Sequence, residues 1–206
     1  MLPAFDSKAL QARLARLDHK QRLAFGASCC ERLLPNYSAF QQDAGWGDIS
    51  PVRRSLDFVW SFLYRESIDL EEAERITAAC EAVAPSSDDF ESLYVTAAQD
   101  ACFAVCGLLD CLRHDDVERI VQVATYATDS VDLYVQEVEN MAANDPQLEQ
   151  KILAHRLMQR ELSTQEQTLA LLEQSPSVSS ELLDQIKALW DNEGRSNLDL
   201  PKAAAG

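Results

Sequence analysis

The sequence predicts an all-α protein, a single-domain helical bundle of about seven to nine helices over residues 1–200, followed by a frayed tail at 201–206. Apolar residues recur at helical spacing from end to end, and no stretch alternates like a half-buried strand. Of the 206 residues, 47% are hydrophobic and 25% are charged, which is ordinary globular composition. A chain of this length fits one domain and buries about 70% of its unfolded surface without a metal or disulfide.

The first 48 residues predict two helices and a loop. A short first helix carries the apolar stripe Leu10, Leu14 and Leu17. Asp18 and Gln21 have the spacing of a capping box, which starts a second helix. We expect Pro35 to end it, because the residue before a proline avoids the α region. Asn36 then caps a short turn, and the glycines of residues 45–48 indicate a loop.

Three further helices are expected in the middle of the chain. Ser50-Pro51 combines a capping hydroxyl with a proline at the first helical position. Asp69 opens the next helix, which ends near Pro85. The Ser86–Asp89 segment starts a third, running to about Arg113. Because the middle of this third helix is apolar nearly all round and rich in small residues, we expect it to be central in the bundle.

The second half predicts three more helices. The first runs from about Asp116 to Ala142 and has a regular apolar face suited to a neighbouring helix. Asp145-Pro146 starts the next helix, on whose apolar stripe His155 is expected to be a hydrogen-bonded core residue. Pro176 breaks that helix, and a last helix runs from roughly Ser179 to Asn192.

Charge is distributed unevenly along the chain. Residues 1–65 contain nine basic and six acidic side chains, whereas residues 66–145 contain three and nineteen. The net charge of the whole chain is −16. Nucleic acids and anionic membranes attract basic proteins, so this balance disfavours both as partners. The polarity suits a basic face that docks on an acidic one, within the fold or between subunits.

The N-terminal residues predict a cytoplasmic protein. Residues 1–6 lack both the basic start and the long apolar stretch of a signal peptide. The longest uninterrupted apolar run, residues 101–109, is too short for a bilayer, which requires about 20 residues. The six cysteines are therefore expected to be free thiols, most of them small core residues.

The sequence contains no assembled catalytic or metal site, and we expect neither a metal nor a cofactor. None of the three histidines follows a glutamate by three positions, as a carboxylate-bridged di-iron bundle requires. Cys102 and Cys106 share a helical face, but Cys111 is turned about 140° from Cys106, so this helix alone cannot surround a metal. A catalytic Cys–His dyad remains an alternative, because the two residues of such a dyad can be adjacent in the fold while far apart in the sequence.

The most unusual local stretch runs from Pro35 to Arg54. It combines irregular backbone, aromatic rings, paired guanidinium groups and a carboxylate. Loops on a rigid scaffold often carry binding residues, and paired arginines suit carboxylate or phosphate ligands. The alternative is structural: the tryptophan fills the core, and the arginines pair with the acidic second half. As a binding site, this stretch would use Asn36, Tyr37, Trp46, Asp48, Arg53 and Arg54.

Several short motifs are shared with a known family. They are Cys30-Glu31-Arg32, Pro35-Asn36-Tyr37, Phe40, Gly45, Arg53-Arg54, Leu56-Asp57, Trp60, Asp89-Phe90, Asp100-Ala101-Cys102 and Ser196-Asn197. In these motifs the sequence resembles the YjaG-like family of gammaproteobacterial proteins, along nearly the whole chain and most strongly in the first half. The resemblance implies an all-α fold of about this length. It implies no activity and no catalytic residue, since that family has no assigned function.

Charge polarity and the lack of an assembled site favour a non-enzymatic protein-interaction or regulatory module with a protein partner. The alternative is a small-molecule binder or enzyme that uses a cleft near the loop at 45–48. A third hypothesis is a homodimer, joined along the regular face of the long sixth helix. That face consists of Ile120, Ala124, Ala127, Val131, Tyr134, Val138 and Met141.

Overall fold

The computed structural model describes residues 4–65 and 69–201, and within them the protein is the all-α bundle that the sequence predicts. The described residues form nine helices, and none of them lies in a strand. Apart from Pro201, the tail expected to fray lies outside the described residues. The helices are α1 (Ser7–Leu14), α2 (His19–Ala44), α3 (Ile49–Arg65), α4 (Leu70–Glu81), α5 (Val95–His114), α6 (Val117–Val138), α7 (Leu148–Ala154), α8 (Arg156–Gln174) and α9 (Ser180–Trp190).

Helix α2 lies at the centre of the bundle, in contact with α3, α5, α6, α8 and α9. The predicted capping box is confirmed: Asp18 accepts from the Gln21 amide at 2.8 Å, and the Gln21 side chain accepts from the Asp18 amide at 2.9 Å. The predicted end at Pro35 is wrong, because α2 continues to Ala44. An interior proline costs about 3 kcal/mol, and the complete burial of residues 32–38 outweighs that local penalty. Asn36 is therefore helical and caps no turn.

The connection from α2 to α3 is the loop that the sequence predicts at residues 45–48. Gly45 ends α2 in the left-handed conformation (φ 62°), where glycine is unstrained. Helix α3 starts at Ile49, two residues before Pro51, the predicted first helical position, and Ser50 lies inside the helix and not at its cap. Asp48 supplies the cap, since its Oδ1 accepts from the Ser50 amide at 2.9 Å. Asp69 caps α4 as predicted.

Helix α5 begins at Val95 and not, as predicted, in the Ser86–Asp89 segment. The polar residues of that segment form local turns, in which Ser86 Oγ accepts from the Asp88 amide at 3.3 Å. From Val95, α5 runs through the bundle in contact with α2, α3, α4 and α6. Among the described helices, α5 is the one long and apolar enough to cross a membrane, and 67% of that stretch is buried inside the bundle.

Helix α6 ends at Val138, four residues before the predicted Ala142. The first four residues of its regular face are fully buried against the protein's own helices: Ile120, Ala124, Ala127 and Val131. A second copy of the chain cannot reach them in this fold. A homodimer along this face would have to use Tyr134, Val138 and Met141, of which Val138 is 40% exposed.

The helix predicted to follow Asp145-Pro146 is divided into α7 and α8 at His155. The backbone of His155 is extended (φ −68°, ψ 139°), and its Nδ1 accepts from the Leu157 amide at 3.3 Å. His155 is therefore the half-buried N-cap of α8 and not a core residue. Helix α9 begins at Ser180, one residue after the predicted Ser179, which is its N-cap, and it ends at Trp190 rather than Asn192.

All six cysteines are free, and five of them are buried. This confirms the expectation of small core thiols. Cys29 and Cys30 are both in the core, although they are adjacent in sequence. The reason is that neighbours cover α2 on nearly every side, so two side chains about 100° apart both meet packed helices.

Gly26 marks the closest approach of α2 to its neighbours. A Cβ atom there would lie 2.8 Å from Leu108 Cδ1 and 2.9 Å from Ile120 Cδ1. We predict that Gly26→Ala lowers the free energy of unfolding by about 1–3 kcal/mol, because the core must shift to admit the methyl group. Urea denaturation measures this change.

The matched control is Gly107→Ala in α5. A Cβ at this position meets Val123 Cγ2 at 3.6 Å, an ordinary contact. Because alanine favours helix more than glycine, this variant should be neutral or stabilising by up to about 1 kcal/mol. Equal effects of the two substitutions would contradict the packing described at Gly26.

Candidate functional site

The six residues predicted to bind a ligand lie on three elements. Asn36 and Tyr37 are fully buried in α2, Trp46 and Asp48 lie in the loop at 45–48, and the two arginines lie in the first half of α3. The structure brings Tyr37 and Asp48 together, since the Tyr37 hydroxyl accepts from the Asp48 amide at 3.2 Å. The same hydroxyl donates to the Val83 carbonyl at 2.7 Å, so Tyr37 ties the loop to the end of α4.

Close packing of the loop explains Gly47. Its φ is +96°, and a Cβ atom would lie 2.6 Å from the Tyr37 hydroxyl oxygen. Trp46 covers the same corner, with ring centroids 5.1 Å from Phe90 and 6.0 Å from Phe40, yet 40% of it stays exposed. The main role of the loop is therefore to pack over the end of α2.

Arg53 is engaged within the first half of the chain. Its two terminal nitrogens donate to Glu31 at 2.7 and 2.9 Å, and it also pairs with Asp57 at 2.8 Å. Trp60 Nε1 donates to the same Glu31 carboxylate at 2.7 Å. The predicted pairing of this arginine with the acidic second half is therefore wrong.

Arg54 is exposed and close enough to Asp48 to add to the lowering of its pKa, which hydrogen bonds from Ser50 mainly cause. Asn36 belongs to a different place, since its Nδ2 donates to Asn197 Oδ1 at 2.9 Å near the C-terminus. The six residues thus form no single cleft in this fold. The alternative hypothesis of a small-molecule site near the loop gains no support from their placement.

A buried polar centre joins α2 to α8. Arg32 forms a bidentate ion pair with Glu161, at 2.9 and 2.6 Å, and their side chains are only 6% and 1% exposed. Arg32 also donates to the Ser28 carbonyl at 2.7 Å, and Gln165 donates to Glu161 at 2.9 Å. Because the surrounding groups satisfy both ions, this pair is compatible with burial.

The C-terminal segment closes the polar centre. The Asn197 amide donates to the Arg32 carbonyl at 3.0 Å, and Asn197 Nδ2 donates to the Ala127 carbonyl at 2.9 Å. With the bond from Asn36, one asparagine connects α2, α6 and the end of the chain. Three of the motifs that carry the family resemblance, those containing Arg32, Asn36 and Asn197, therefore meet in a structural cluster.

The strongest candidate for an interaction site is the outer face of α5 and α6, which we call the α5–α6 face. Three large apolar side chains lie exposed along it: Leu93 is 40% exposed, Phe103 41% and Leu133 50%. Phe103 contacts Tyr126 with ring centroids 6.0 Å apart, and Tyr94 stacks on Tyr134 at 6.4 Å.

Two hollows mark the ends of the α5–α6 face. One has a volume of about 360 Å³ and lies between the start of α5 and the second half of α6, lined in part by Leu93, Ala97, Ser130 and Leu133. The other, of about 430 Å³, lies between the second half of α5 and the start of α6, lined in part by Phe103, Cys106, Gln122 and Tyr126.

Acidic groups border the first hollow. Glu91 and Glu137 line it and are exposed. Asp100 is 8% exposed and lies behind it, where its Oδ2 is 2.8 Å from the hydroxyl of Ser130. Ser130 Oγ is also 2.8 Å from the Tyr126 carbonyl oxygen. The sequence does not reveal this pairing, because Asp100 and Ser130 are 30 residues apart and the shared motif that contains Asp100 does not include Ser130.

Burial raises the pKa of Asp100 to about 7, while the bond from Ser130 opposes the rise and the charge of Asp129 adds to it. The cause is desolvation, because the carboxylate has lost water and no cationic side chain of residues 4–65 or 69–201 pairs with it. When protonated, Asp100 donates to Ser130, which then donates to the Tyr126 carbonyl. The site thus holds a buried carboxyl group beside Ser130, which itself lines the first hollow.

The fold and the site define a single-domain helical bundle with a buried polar centre and an exposed apolar face edged by carboxylates. Residues 9–200 match the family model described as protein of unknown function (DUF416), and the chain therefore belongs to that family.

Individual relatives support this membership. The chain is 29% identical over 192 residues to the uncharacterized protein YjaG of Escherichia coli strain K12, covering 93% of this chain and 95% of that one. It is 26% identical to an uncharacterized protein of Haemophilus influenzae over 93% of this chain and 96% of the relative. The crystal structure of a DUF416 family protein from Shewanella baltica OS155 superposes with a TM-score of 0.84 at 26% identity, over 93% and 97% of the two chains. The resemblance to the YjaG-like family is confirmed.

We predict that Glu161→Gln lowers the free energy of unfolding by about 3–5 kcal/mol, because it leaves the Arg32 charge buried without its partner. The control, Glu166→Gln, breaks an ion pair with Arg13 in which the glutamate is 62% exposed, and should change stability by about 0–1 kcal/mol. Urea denaturation distinguishes the two. A Glu161→Gln variant as stable as the control would refute the role given to this pair.

We predict that Asp100→Asn removes a pH dependence of stability. A carboxyl group with a raised folded pKa binds more protons in the folded state, so the wild type loses stability as pH rises from about 4 to about 7. The slope contributed by Asp100 is at most about 1.4 kcal/mol per pH unit in that window. The unfolding free energy of the variant should therefore rise relative to that of the wild type as pH increases up to about 7.

The companion variant Ser130→Ala removes the hydrogen bond that opposes the rise in the Asp100 pKa. The loss of stability of Ser130→Ala with rising pH should therefore continue to a higher pH than in the wild type. Parallel stability curves for the wild type and Asp100→Asn between pH 4 and 8 would show that Asp100 is not the group described.

Proposed function

We propose that this protein is a non-enzymatic, cytoplasmic interaction or regulatory module that binds a partner protein on the α5–α6 face. The segment that fits is an amphipathic helix with basic side chains. The observation that carries the proposal is the row of exposed apolar residues Leu93, Phe103 and Leu133, which two carboxylates border at the first hollow. At the second hollow, Arg113 and Arg119 are paired with Glu74 and Asp110. Single exposed apolar residues are ordinary, but several on one face are typical of interaction sites.

The length of the α5–α6 face suits a helical partner. From Val95 to Asp110, α5 rises about 23 Å at 1.5 Å per residue, and Leu93 lies just before its start. Hollows at the two ends of this face would receive apolar side chains spaced along the partner helix, which is the usual geometry of helix-in-groove recognition.

Electrostatics favour a basic partner. Glu91 and Glu137 would meet lysine or arginine side chains at the rim of the first hollow, and the buried Asp100 would accept a charge-assisted hydrogen bond from one that enters it. The net charge of −16 would speed association with such a segment, whereas it opposes binding to nucleic acid or an anionic membrane.

The cysteines support the non-enzymatic and cytoplasmic parts of the proposal. All six are free thiols, and disulfides rarely persist in the cytoplasm. Burial raises the pKa of Cys29 to about 11 and that of Cys111 to about 12. Neither residue therefore supplies a thiolate for nucleophilic catalysis at neutral pH.

A synthetic Leu/Lys amphipathic helix of about 18 residues tests the proposal, because it spans the face at 1.5 Å per residue. We predict that it binds the wild type, and that Leu133→Ser weakens binding roughly tenfold by removing an apolar contact without changing charge. A peptide with Glu in place of Lys should bind much more weakly. Isothermal titration calorimetry measures all three affinities.

The matched control is Tyr64→Ser. Tyr64 is 39% exposed, but it lies on α3 beside α9, away from the α5–α6 face. This variant should bind the basic peptide as the wild type does. The proposal fails if both variants bind equally well, or if the acidic peptide binds as tightly as the basic one. In cell lysate, a true partner is retained by Tyr64→Ser and lost by Leu133→Ser.

A further inference from the structure

A mixed group of potential metal ligands lies at the other end of α5, away from the first hollow. His19 is the first residue of α2, Cys111 lies in the last turn of α5, and Asp115 caps the C-terminus of α5. A ring nitrogen, the thiol sulfur and a carboxylate oxygen all lie within 4.8 Å of one another. The three residue types are all ligands that zinc prefers.

Hydrogen bonds position this group around one carbonyl. The oxygen of Cys111 is 2.9 Å from His19 Nε2 and accepts from the Asp115 amide at 2.8 Å. Donation from Nε2 to the carbonyl requires the proton on Nε2, which leaves the lone pair of the neutral ring on Nδ1. A ring N–H bound to a backbone carbonyl is the usual support of a metal-binding histidine.

The charge around the group is compatible with a cation. Arg22 donates to Asp115 only through Oδ1, from Nε at 3.2 Å and Nη2 at 2.7 Å, so its ion pair does not require Oδ2. The carbonyl groups at the C-terminus of α5 add negative potential. Asp115 has φ 54°, a left-handed conformation that is uncommon outside glycine, and it ends α5 at this point.

A catalytic Cys–His–Asp arrangement fits these residues less well. Cys111 has no exposed surface, so its sulfur cannot reach a substrate, whereas a structural metal needs only to enter once. His114, the histidine closest to Cys111 in sequence, is directed elsewhere and lies 3.7 Å from Asp110. The Cys–His pair that forms in space is therefore Cys111 with His19, 92 residues away.

We propose that His19, Cys111 and Asp115 bind one zinc-like divalent cation, with water as the fourth ligand. Zinc–ligand distances are about 2.0–2.3 Å, so the donor atoms must draw together by about 1 Å through side-chain rotation. On binding, the Cys111 thiol gives its proton to solvent, and the thiolate sulfur coordinates the metal. The ion would join the start of α2 to the end of α5.

Cobalt(II) is the probe, because its complex with a thiolate absorbs in the near ultraviolet and zinc displaces it. The full chain is stripped of metal with a chelator and titrated with cobalt(II). We expect one cobalt ion per chain, a thiolate charge-transfer band, and loss of the band when zinc is added. Cys111→Ser should abolish the band. His19→Gln removes a direct ligand and should weaken cobalt binding by more than the roughly 10–100-fold that loss of an outer-shell partner costs.

The matched control is Cys106→Ser, a partly buried cysteine on the same helix, which should keep the band and the affinity. The proposal is overturned if no band forms in the wild type, if the band survives in Cys111→Ser, or if Cys106→Ser removes it. If circular dichroism shows that Cys111→Ser does not fold, His19→Gln provides the test. Unchanged cobalt affinity in that variant also overturns the proposal. Peptide binding on the α5–α6 face is a separate measurement, so either proposal can fail alone.

Discussion

The buried ion pair between Arg32 and Glu161 is the interaction on which the arrangement of the bundle depends. It joins the middle of α2 to α8 where both side chains are almost inaccessible to water. An unpaired ion at this depth costs several kcal/mol, so α8 cannot leave α2 without that penalty. The C-terminal segment adds to the same centre, since Asn197 binds the Arg32 carbonyl and the Asn36 side chain. Distant parts of the chain are thereby held on one helix.

Helix α5, which packs against α2, is not covered by other helices on every side. An α-helix that is apolar nearly all round requires packing on every side. Helices α2, α3, α4 and α6 cover most of α5, but its outer side keeps Leu93 and Phe103 in water beside Leu133 of α6. The same region buries Asp100 without a cation. A partner that covers this apolar surface and brings a positive charge to the carboxyl group would stabilise both, which is the physical basis of the proposed function.

The two ends of α5 differ in chemistry. Its start contributes Leu93 and Ala97 to the first hollow, bordered by acids. Its C-terminus contributes Cys111 and Asp115, which meet His19 in a group that suits a soft divalent cation. A metal there would fix the junction of α2 and α5 without touching the first hollow. Stability of the bundle and recognition by its surface would then depend on separate residues of one helix.

Local patterns in the sequence determined the all-α class, the capping box of Asp18 and Gln21, and the core thiols, because helical period and capping depend on neighbouring residues. Tertiary packing decided the rest. Burial carried α2 through Pro35, so Asn36 and Tyr37 became core residues and not parts of a binding loop. Both candidate sites depend on pairs far apart in sequence, Asp100 with Ser130 and His19 with Cys111. No local spacing encodes such pairs, because helix packing alone sets the distance between them.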